Sequence, residues 1–327
     1  MSNHLPQGLK KGYLQASGME FRYFSSGPAG GQPVLMLHGF PSTSLMWGPQ
    51  LEALGKEGYL CVAPDLRGIS PNARPEGEHS YYYPKLAADV MAIADALRWR
   101  TFHLVTHDHG SLLGWVVAKL YPSRLRSFAS LTVPHPDAFS DGFFNDIVQQ
   151  RASQYFNMFK AAGSEHFVFN NTSAKNGANS IAANRNYPQY YKDDWQQIFT
   201  DASVMRKALW WYNGAMASFV ATPPILEETL KINENIPNPY VILKLKPAPA
   251  KPALSNVGQI TVPTLYVWGS EDGALTREPA EATSKYVDAP YEFVELKCDH
   301  WMTFTATKEV NAALSKHLSK YSSSGKL

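Results

Sequence analysis

Apolar residues recur along the chain in two alternating patterns, short continuous runs and longer stretches with helical spacing. The short runs end in loops and predict strands at 33–39, 59–68, 102–108, 125–134, 262–269 and 291–297. Residues 13–27 alternate around Gly18 and predict an opening hairpin. Helical spacing predicts helices at 45–57, 83–99, 110–122, 277–287 and 306–320. Apolar strands that alternate with helices favour an α/β protein with a mostly parallel sheet.

This alternation stops in the middle of the chain. Residues 136–220 are aromatic and helical in spacing, and the proline-rich stretch 222–260 predicts loop. The pattern therefore predicts one α/β core in two parts, 1–135 and 256–327. Between those parts, over 136–255, we expect a helical cap with a proline-rich return segment.

Asp108 stands at the end of a predicted strand, directly before a predicted helix. In open α/β sheets, chemistry collects at the carboxyl ends of the strands. A sharp strand-to-helix turn would expose the Asp108 side chain, and Gly110 would let the helix pack closely. Thr106 occupies a position where such turns usually have glycine. Because the chain contains no Gly-x-Ser-x-Gly, an ordinary serine hydrolase is disfavoured.

A carboxylate at such a turn favours attack on an sp³ carbon, because it is ionised at neutral pH and needs no base. The ester that forms must then be cleaved by an activated water beside an oxyanion hole. Asp272 and His300 follow later predicted strands, so His300 is the expected base and Asp272 the acid that orients it. The backbone N–H groups of Phe40 and His109 are the expected oxyanion hole.

Five short motifs follow one another in the order typical of the α/β-hydrolase superfamily. They are HGFP at 38–41, DLRG at 65–68, HDHG at 107–110, GSED at 269–272 and His300. With these motifs the chain resembles the soluble epoxide hydrolases of that superfamily. The resemblance implies an α/β-hydrolase fold with an inserted helical cap, and conversion of a small apolar epoxide to a vicinal diol without a cofactor. His109 stands where that family usually has tryptophan.

The resemblance also implies two tyrosines in the cap that stabilise the opened epoxide oxygen. The segments QYFNMFKAAG (154–163) and ALWWYNGAM (208–216) are similar to the two that carry them, which points to Tyr155 and Tyr212. Trp210 and Asn213 depart from the usual Asn-Trp-Tyr-Arg pattern of the second segment. Residues expected to line the substrate pocket are mostly aromatic: Phe40, Pro41, His109, Phe156, Phe159, Trp211 and Trp301.

Several of these residues also have purely structural interpretations. Asp108 could cap the following helix, and aromatic side chains on buried helices usually belong to the core. Glu271 and Asp137 are alternatives to Asp272 as the orienting acid. A metal site at His107, His109 and His135 is not expected, because neighbours on an extended chain point apart.

Other functions use the same residues. A hydrolytic haloalkane or haloacid dehalogenase would use Asp108 in the same way, but its halide leaving group needs no proton donor. The tyrosine pair therefore favours the epoxide. A non-catalytic relative that serves as a ligand receptor is disfavoured, because all three positions of the nucleophile, acid and base are filled.

Composition limits the partners and the compartment. The chain has 327 residues, of which 44% are hydrophobic, and a net charge of +2 that is too small to indicate nucleic acid or a membrane surface. Two cysteines and no apolar leader predict a protein of the cytoplasm. The final residues 325–327, Gly-Lys-Leu, partly match a peroxisomal Ser-Lys-Leu signal. The sequence leaves the oligomeric state open.

Overall fold

The computed structural model describes residues 5–173, 181, 184, 186–215 and 256–322. Its strands are β1 Lys10–Ala16, β2 Met19–Ser26, β3 Gln32–Leu37, β4 Tyr59–Pro64, β5 Phe102–His107, β6 Leu125–Leu131, β7 Thr264–Gly269 and β8 Tyr291–Leu296. They form one sheet in the order β1-β2-β4-β3-β5-β6-β7-β8. β2 is antiparallel to β1 and to β4, and every other neighbouring pair is parallel. The predicted mostly parallel α/β sheet is confirmed.

The helices lie between the strands or after the last one in the sequence, as predicted. They are α1 Gly48–Lys56, α2 Tyr83–Ala96, α3 His109–Leu120, α4 Pro136–Asn145, α5 Ile147–Ala152, α6 Tyr155–Phe159, α7 Ser164–Ser173, α8 Gln189–Ile198, α9 Ala202–Trp210, α10 Arg277–Ala282, α11 Met302–Thr305 and α12 Thr307–Lys320. A π-helical turn, Trp211–Ala215, follows α9. No helix in the described part of the chain is both long and apolar enough to span a bilayer.

Local sequence explains both the hairpin and the central strands. Ser17 and Gly18 join β1 to β2 with φ values of 50° and 72°, which is the conformation of a two-residue type I′ turn. Every residue of β5 is buried, as expected for a parallel strand covered on both faces. Because β5 lies between β3 and β6, the residue that follows it stands at the middle of the sheet edge.

The secondary-structure elements that the structure describes between β6 and β7 are helices, from α4 to the turn after α9. Residues 216–255, which include most of the predicted proline-rich return segment, lie outside the described residues, as do residues 323–327 with the predicted peroxisomal motif. The boundaries of the cap at 136–255 therefore stay a prediction.

A buried ion network joins this helical region to the sheet. The Arg22 guanidinium on β2 forms an ion pair with Asp65 after β4, and it donates to both carboxylate oxygens of Asp194 on α8 at 2.6 and 3.0 Å. Thr43 Oγ1 donates to Asp194 at 2.6 Å, and the Ser44 N–H donates to Asp65 at 2.8 Å. Arg22 is only 2% exposed, so its charge depends on these two carboxylates for compensation.

We expect Arg22→Met to lower the free energy of unfolding by about 3–5 kcal/mol, because it leaves two buried carboxylates without their cation. Urea unfolding followed by tryptophan fluorescence measures this loss. Lys56→Met is the matched control, since it removes the same kind of charge from the exposed Lys56–Glu52 pair and should cost under about 1 kcal/mol. Equal losses in the two variants would contradict this account.

Candidate active site

Asp108 lies at the apex of a sharp turn between β5 and α3. Its φ of 55° and ψ of −125° place it in a region that non-glycine residues rarely adopt, at a cost of about 1–3 kcal/mol. The Asp108 carbonyl accepts from the N–H groups of Ser111 at 2.8 Å and Leu112 at 3.2 Å, which fixes the turn. A Cβ on Gly110 would overlap the Leu37 carbonyl oxygen, so this position requires glycine.

Thr106 stands where such turns usually have glycine, and its side chain fits because of neighbouring groups on β6 and α3. Thr106 Oγ1 donates to the Ala129 carbonyl at 3.1 Å and also lies 3.0 Å from Ser111 Oγ. The space comes from Gly114 on α3, where a Cβ would stand 2.8 Å from the Thr106 methyl and 2.7 Å from the Phe128 ring. Sequence reasoning missed Gly114, although a glycine inside a predicted helix is a signal of close packing.

The two carboxylate oxygens of Asp108 have different partners. The Phe40 N–H donates to Oδ1 at 2.7 Å, and His300 Nε2 lies 3.1 Å from Oδ2. A Cβ on Gly39 would overlap the Asp108 carboxyl group, so this glycine lets the Phe40 amide come close. Among the described residues, the hydrogen bonds to this carboxylate come from Phe40 and His300. The role of the His109 N–H as a second oxyanion-hole donor therefore stays a prediction.

Asp272 holds the other side of the His300 ring. Its Oδ2 lies 2.7 Å from His300 Nδ1, and its Oδ1 accepts from the N–H groups of Ala274 at 2.8 Å and Leu275 at 3.2 Å. The carboxylate is thus fixed by the main chain of its own loop. Nδ1 carries a proton toward Asp272, which leaves Nε2 to face the Asp108 carboxylate.

Among the described residues, neither alternative acid forms a hydrogen bond or an ion pair with His300. Glu271 is exposed. The carboxylate of Asp137, at the start of α4, accepts from the N–H groups of Val257 at 3.0 Å and Gly258 at 2.8 Å. Of the candidate acids, Asp272 is therefore the one beside the histidine.

Charge couples Asp108 to His300. Burial alone would lower the pKa of His300, but the Asp272 carboxylate and the hydrogen bond to Asp108 outweigh it and raise that pKa well above its ordinary value. Burial would likewise raise the pKa of Asp108, yet the hydrogen bond and charge of His300 hold it well below the usual range. The resting site is therefore an ionised Asp108 beside a protonated His300.

Tyr155 begins α6, and Tyr212 lies in the π-helical turn after α9. Their ring centroids are 6.3 Å apart, and both residues line the same cavity as Asp108. Burial and then the nearby Asp108 charge raise the pKa of each phenol well above its ordinary value. Among the described residues, neither phenolic oxygen has a hydrogen-bond partner, so both phenols are neutral donors available to a ligand.

The catalytic cavity, the space of about 630 Å³ above Asp108, also contains Asp272 and His300 in its lining. Four of the residues predicted from the sequence line it: Phe40, Pro41, Phe159 and Trp301. Further apolar lining comes from Met158, Phe167, Val168 and Ile181. The cavity therefore suits an apolar ligand whose polar end reaches the carboxylate and the phenols.

Three predicted pocket residues lie behind this lining rather than in it. Phe156 packs against the rings of the α4 phenylalanines, and Trp211 Nε1 donates to the Arg67 carbonyl at 2.8 Å. The His109 ring lies 4.2 Å from the ring of Tyr212. Neighbouring residues on a helix point about 100° apart, so Phe156 and Trp211 face the core when Tyr155 and Tyr212 face the cavity.

Two of the three histidines considered as metal ligands make separate backbone contacts. His107 Nε2 donates to the His300 carbonyl at 2.8 Å, and His135 Nε2 donates to the Gly258 carbonyl at 3.1 Å. Across the described residues, no group of three or more histidine, cysteine or acidic side chains is arranged to hold a metal ion.

Comparisons with known proteins find the same architecture. A family model described as "alpha/beta hydrolase fold" matches residues 32–307. Epoxide hydrolase 4 of Mus musculus is 28% identical over 295 residues, which cover 88% of this chain and 73% of that protein. An epoxide hydrolase of Caballeronia sordidicola is 24% identical over 348 residues, covering 97% of this chain and 96% of that protein. A solved structure of an epoxide hydrolase from metagenomes of hot environments has a TM-score of 0.76 at 24% identity, covering 94% of this chain and 98% of that one.

We expect Asp108→Asn to lower the pKa of His300, because the variant removes one of the two carboxylates that raise it. NMR titration of the imidazole resonance, assigned with His300→Gln, measures the change. Asp137→Asn is the matched control, since that carboxylate contacts the main chain at 257–258 and should leave the pKa of His300 unchanged. A His300 pKa that is the same in Asp108→Asn as in the unaltered protein would contradict the coupling.

Proposed function

Because the chain belongs to the α/β-hydrolase fold family, we propose that it is an epoxide hydrolase, which converts a small apolar epoxide to a vicinal diol through an ester on Asp108. The observation that carries the proposal is the Asp108 carboxylate, held between the Phe40 amide and His300. It shares one cavity with two phenols that have no hydrogen-bond partner among the described residues. The epoxide hydrolases among its relatives support the same reaction. No cofactor takes part in it.

In the first step, Asp108 Oδ2 attacks a carbon of the epoxide ring. Oδ1 accepts the shorter hydrogen bond, from the Phe40 N–H at 2.7 Å, and Oδ2, which lies 3.1 Å from His300 Nε2, is the attacking atom. The carbon–oxygen bond of the ring breaks, and its electron pair stays on the ring oxygen. Tyr155 and Tyr212 donate hydrogen bonds to that oxygen, and one of them transfers its proton to it and becomes a phenolate, which lowers the barrier for a strongly basic leaving group.

Formation of the ester prepares His300 for the second step. The ester carries no charge, so His300 loses one of the two carboxylates that raise its pKa and gives up its proton, and the phenolate is returned to a phenol. Neutral His300, oriented by Asp272, then takes a proton from water, and the hydroxide attacks the carbonyl carbon of the ester. When the tetrahedral intermediate collapses, the bond from that carbon to Oδ2 breaks, Oδ2 leaves as part of the diol, and His300 returns the proton to it. The Phe40 amide stabilises the oxyanion on Oδ1, with the His109 amide as the second donor that the sequence predicts.

The tyrosine pair supports an epoxide rather than a haloalkane as the substrate. Halide leaves as a stable anion and needs no proton, whereas an alkoxide leaving group does. Release of halide from a haloalkane without any turnover of styrene oxide would reverse this choice of substrate.

We place the protein in the cytoplasm, since both cysteines, Cys61 and Cys298, are free and buried.

We expect His300→Gln to accumulate the covalent ester, because it can still attack but cannot activate water. Intact mass spectrometry after addition of styrene oxide should show one adduct, and peptide mapping should place it on Asp108. Asp108→Asn should form no adduct and no diol. Asp137→Asn, which changes another partly buried aspartate, should react like the unaltered protein.

A single turnover in ¹⁸O water with enzyme in excess is an independent check of the ester. Water attacks the carbonyl carbon, so the label should enter the Asp108 carboxyl group before it reaches any diol. Label found directly in the first diol would rule out the ester.

We expect Tyr155→Phe and Tyr212→Phe each to slow formation of the ester by about a hundredfold, since each removes one donor to the developing alkoxide. Stopped-flow tryptophan fluorescence with an excess of epoxide measures this step. Tyr190→Phe, on α8 and outside the lining of the catalytic cavity, is the matched control. Unchanged ester formation in both cavity variants would remove the phenols from the mechanism.

A further inference from the structure

We propose that His107 is a positioning residue, which sets the distance between the base and the nucleophile by holding the main chain of His300. The proposal rests on the proposed function, because it concerns the step in which His300 activates water. His107 is the last residue of β5, stands directly before Asp108 and is 0% exposed.

One hydrogen bond carries this inference. His107 Nε2 donates to the carbonyl oxygen of His300 at 2.8 Å, and the two rings lie 5.0 Å apart. That carbonyl belongs to the loop between β8 and α11, so the bond fixes the backbone from which the His300 side chain extends. The next residue after His107 is the nucleophile. The same short segment therefore holds both reacting partners, and the gap of 3.1 Å between His300 Nε2 and Asp108 Oδ2 depends on it.

The pleat of β5 directs His107 toward this loop. Successive side chains on a strand point to opposite faces. Thr106 points to the Ala129 carbonyl, whereas the His107 ring lies near the rings of Trp47 and Trp301, at 6.4 and 5.8 Å, as well as His300. A side chain directly before the nucleophile thus reaches the loop that carries the base.

His107 acts as a neutral donor. Burial and the neighbouring His300 charge lower its pKa to about 4, so at neutral pH its one proton is on Nε2. A charged donor at this position would repel the protonated His300. The other ring nitrogen, Nδ1, is buried without a hydrogen-bond partner in the described part of the chain, which is unfavourable. An apolar ring would avoid that cost if packing were the only role.

Two matched variants test the proposal. His107→Gln places an amide N–H close to the position of Nε2, whereas His107→Asn is one carbon shorter and cannot reach the His300 carbonyl. With enzyme in excess over styrene oxide, both variants should form the ester within about threefold of the normal rate, because attack does not use the base. Hydrolysis of the ester should slow about tenfold or more in His107→Asn and stay within about threefold of normal in His107→Gln.

Several results would overturn this role. They are equal rates of ester hydrolysis in the two variants, normal hydrolysis in His107→Asn, and a parallel slowing of both steps. Each would mean that the hydrogen bond to the His300 carbonyl does not set the second step.

A measurement without substrate separates this proposal from the proposed function. The pKa of His300, followed by NMR, should fall in His107→Asn and stay normal in His107→Gln, because a looser His300 lies farther from the Asp108 charge. An unchanged His300 pKa in His107→Asn would refute the positioning role. A protein that forms no ester with any epoxide would instead refute the proposed function, and the NMR result would still decide the role of His107.

Discussion

The structure around the site depends on holding one nearly buried carboxylate, that of Asp108, which is 8% exposed. A carboxylate at this depth is tolerated only if its charge is compensated and its oxygens are hydrogen-bonded. The Phe40 amide and protonated His300 provide both. Close approach of the Phe40 loop requires glycine at 39, and presentation of the carboxylate above the sheet requires the rare backbone conformation of Asp108. The strained backbone of Asp108 and the positions of Gly39, Phe40 and His300 all serve to hold that one charge.

The same charge sets the protonation states of its neighbours. It helps to raise the pKa of His300 and the pKa values of Tyr155 and Tyr212, so the resting cavity holds one cationic base and two neutral phenols. These are the forms in which the phenols can donate protons but His300 cannot yet accept one. In the proposed reaction, the loss of the Asp108 charge changes His300 from an acid to a base. One electrostatic interaction would thereby place the two chemical steps in order.

The cap contributes the phenols, so the geometry of the site also depends on how the cap is attached to the sheet. Arg22 on β2 binds Asp194 on α8, 172 positions later in the sequence, and the Trp195 Nε1–H donates to the Pro41 carbonyl at 2.8 Å. Pro41 follows the Phe40 amide that binds Asp108. The described contacts therefore connect the cap to the loop that binds Asp108, next to the cavity.

The amino-acid sequence alone determined the alternating elements and the order of Asp108, Asp272 and His300, because strand periodicity and short motifs are local properties. Tyr155 and Tyr212 were indicated by the resemblance to the epoxide hydrolases. Parallel strands bring their carboxyl ends to one edge, so residues that follow them could be expected to meet. Only the tertiary structure showed which of Asp272, Asp137 and Glu271 contacts the histidine, because that depends on which carboxylate reaches His300 Nδ1. It also decided that Tyr155 and Tyr212 face the cavity while their aromatic neighbours face the core. The rotation of a helix about its axis is set by packing, and neighbouring aromatic residues carry no local signal of it.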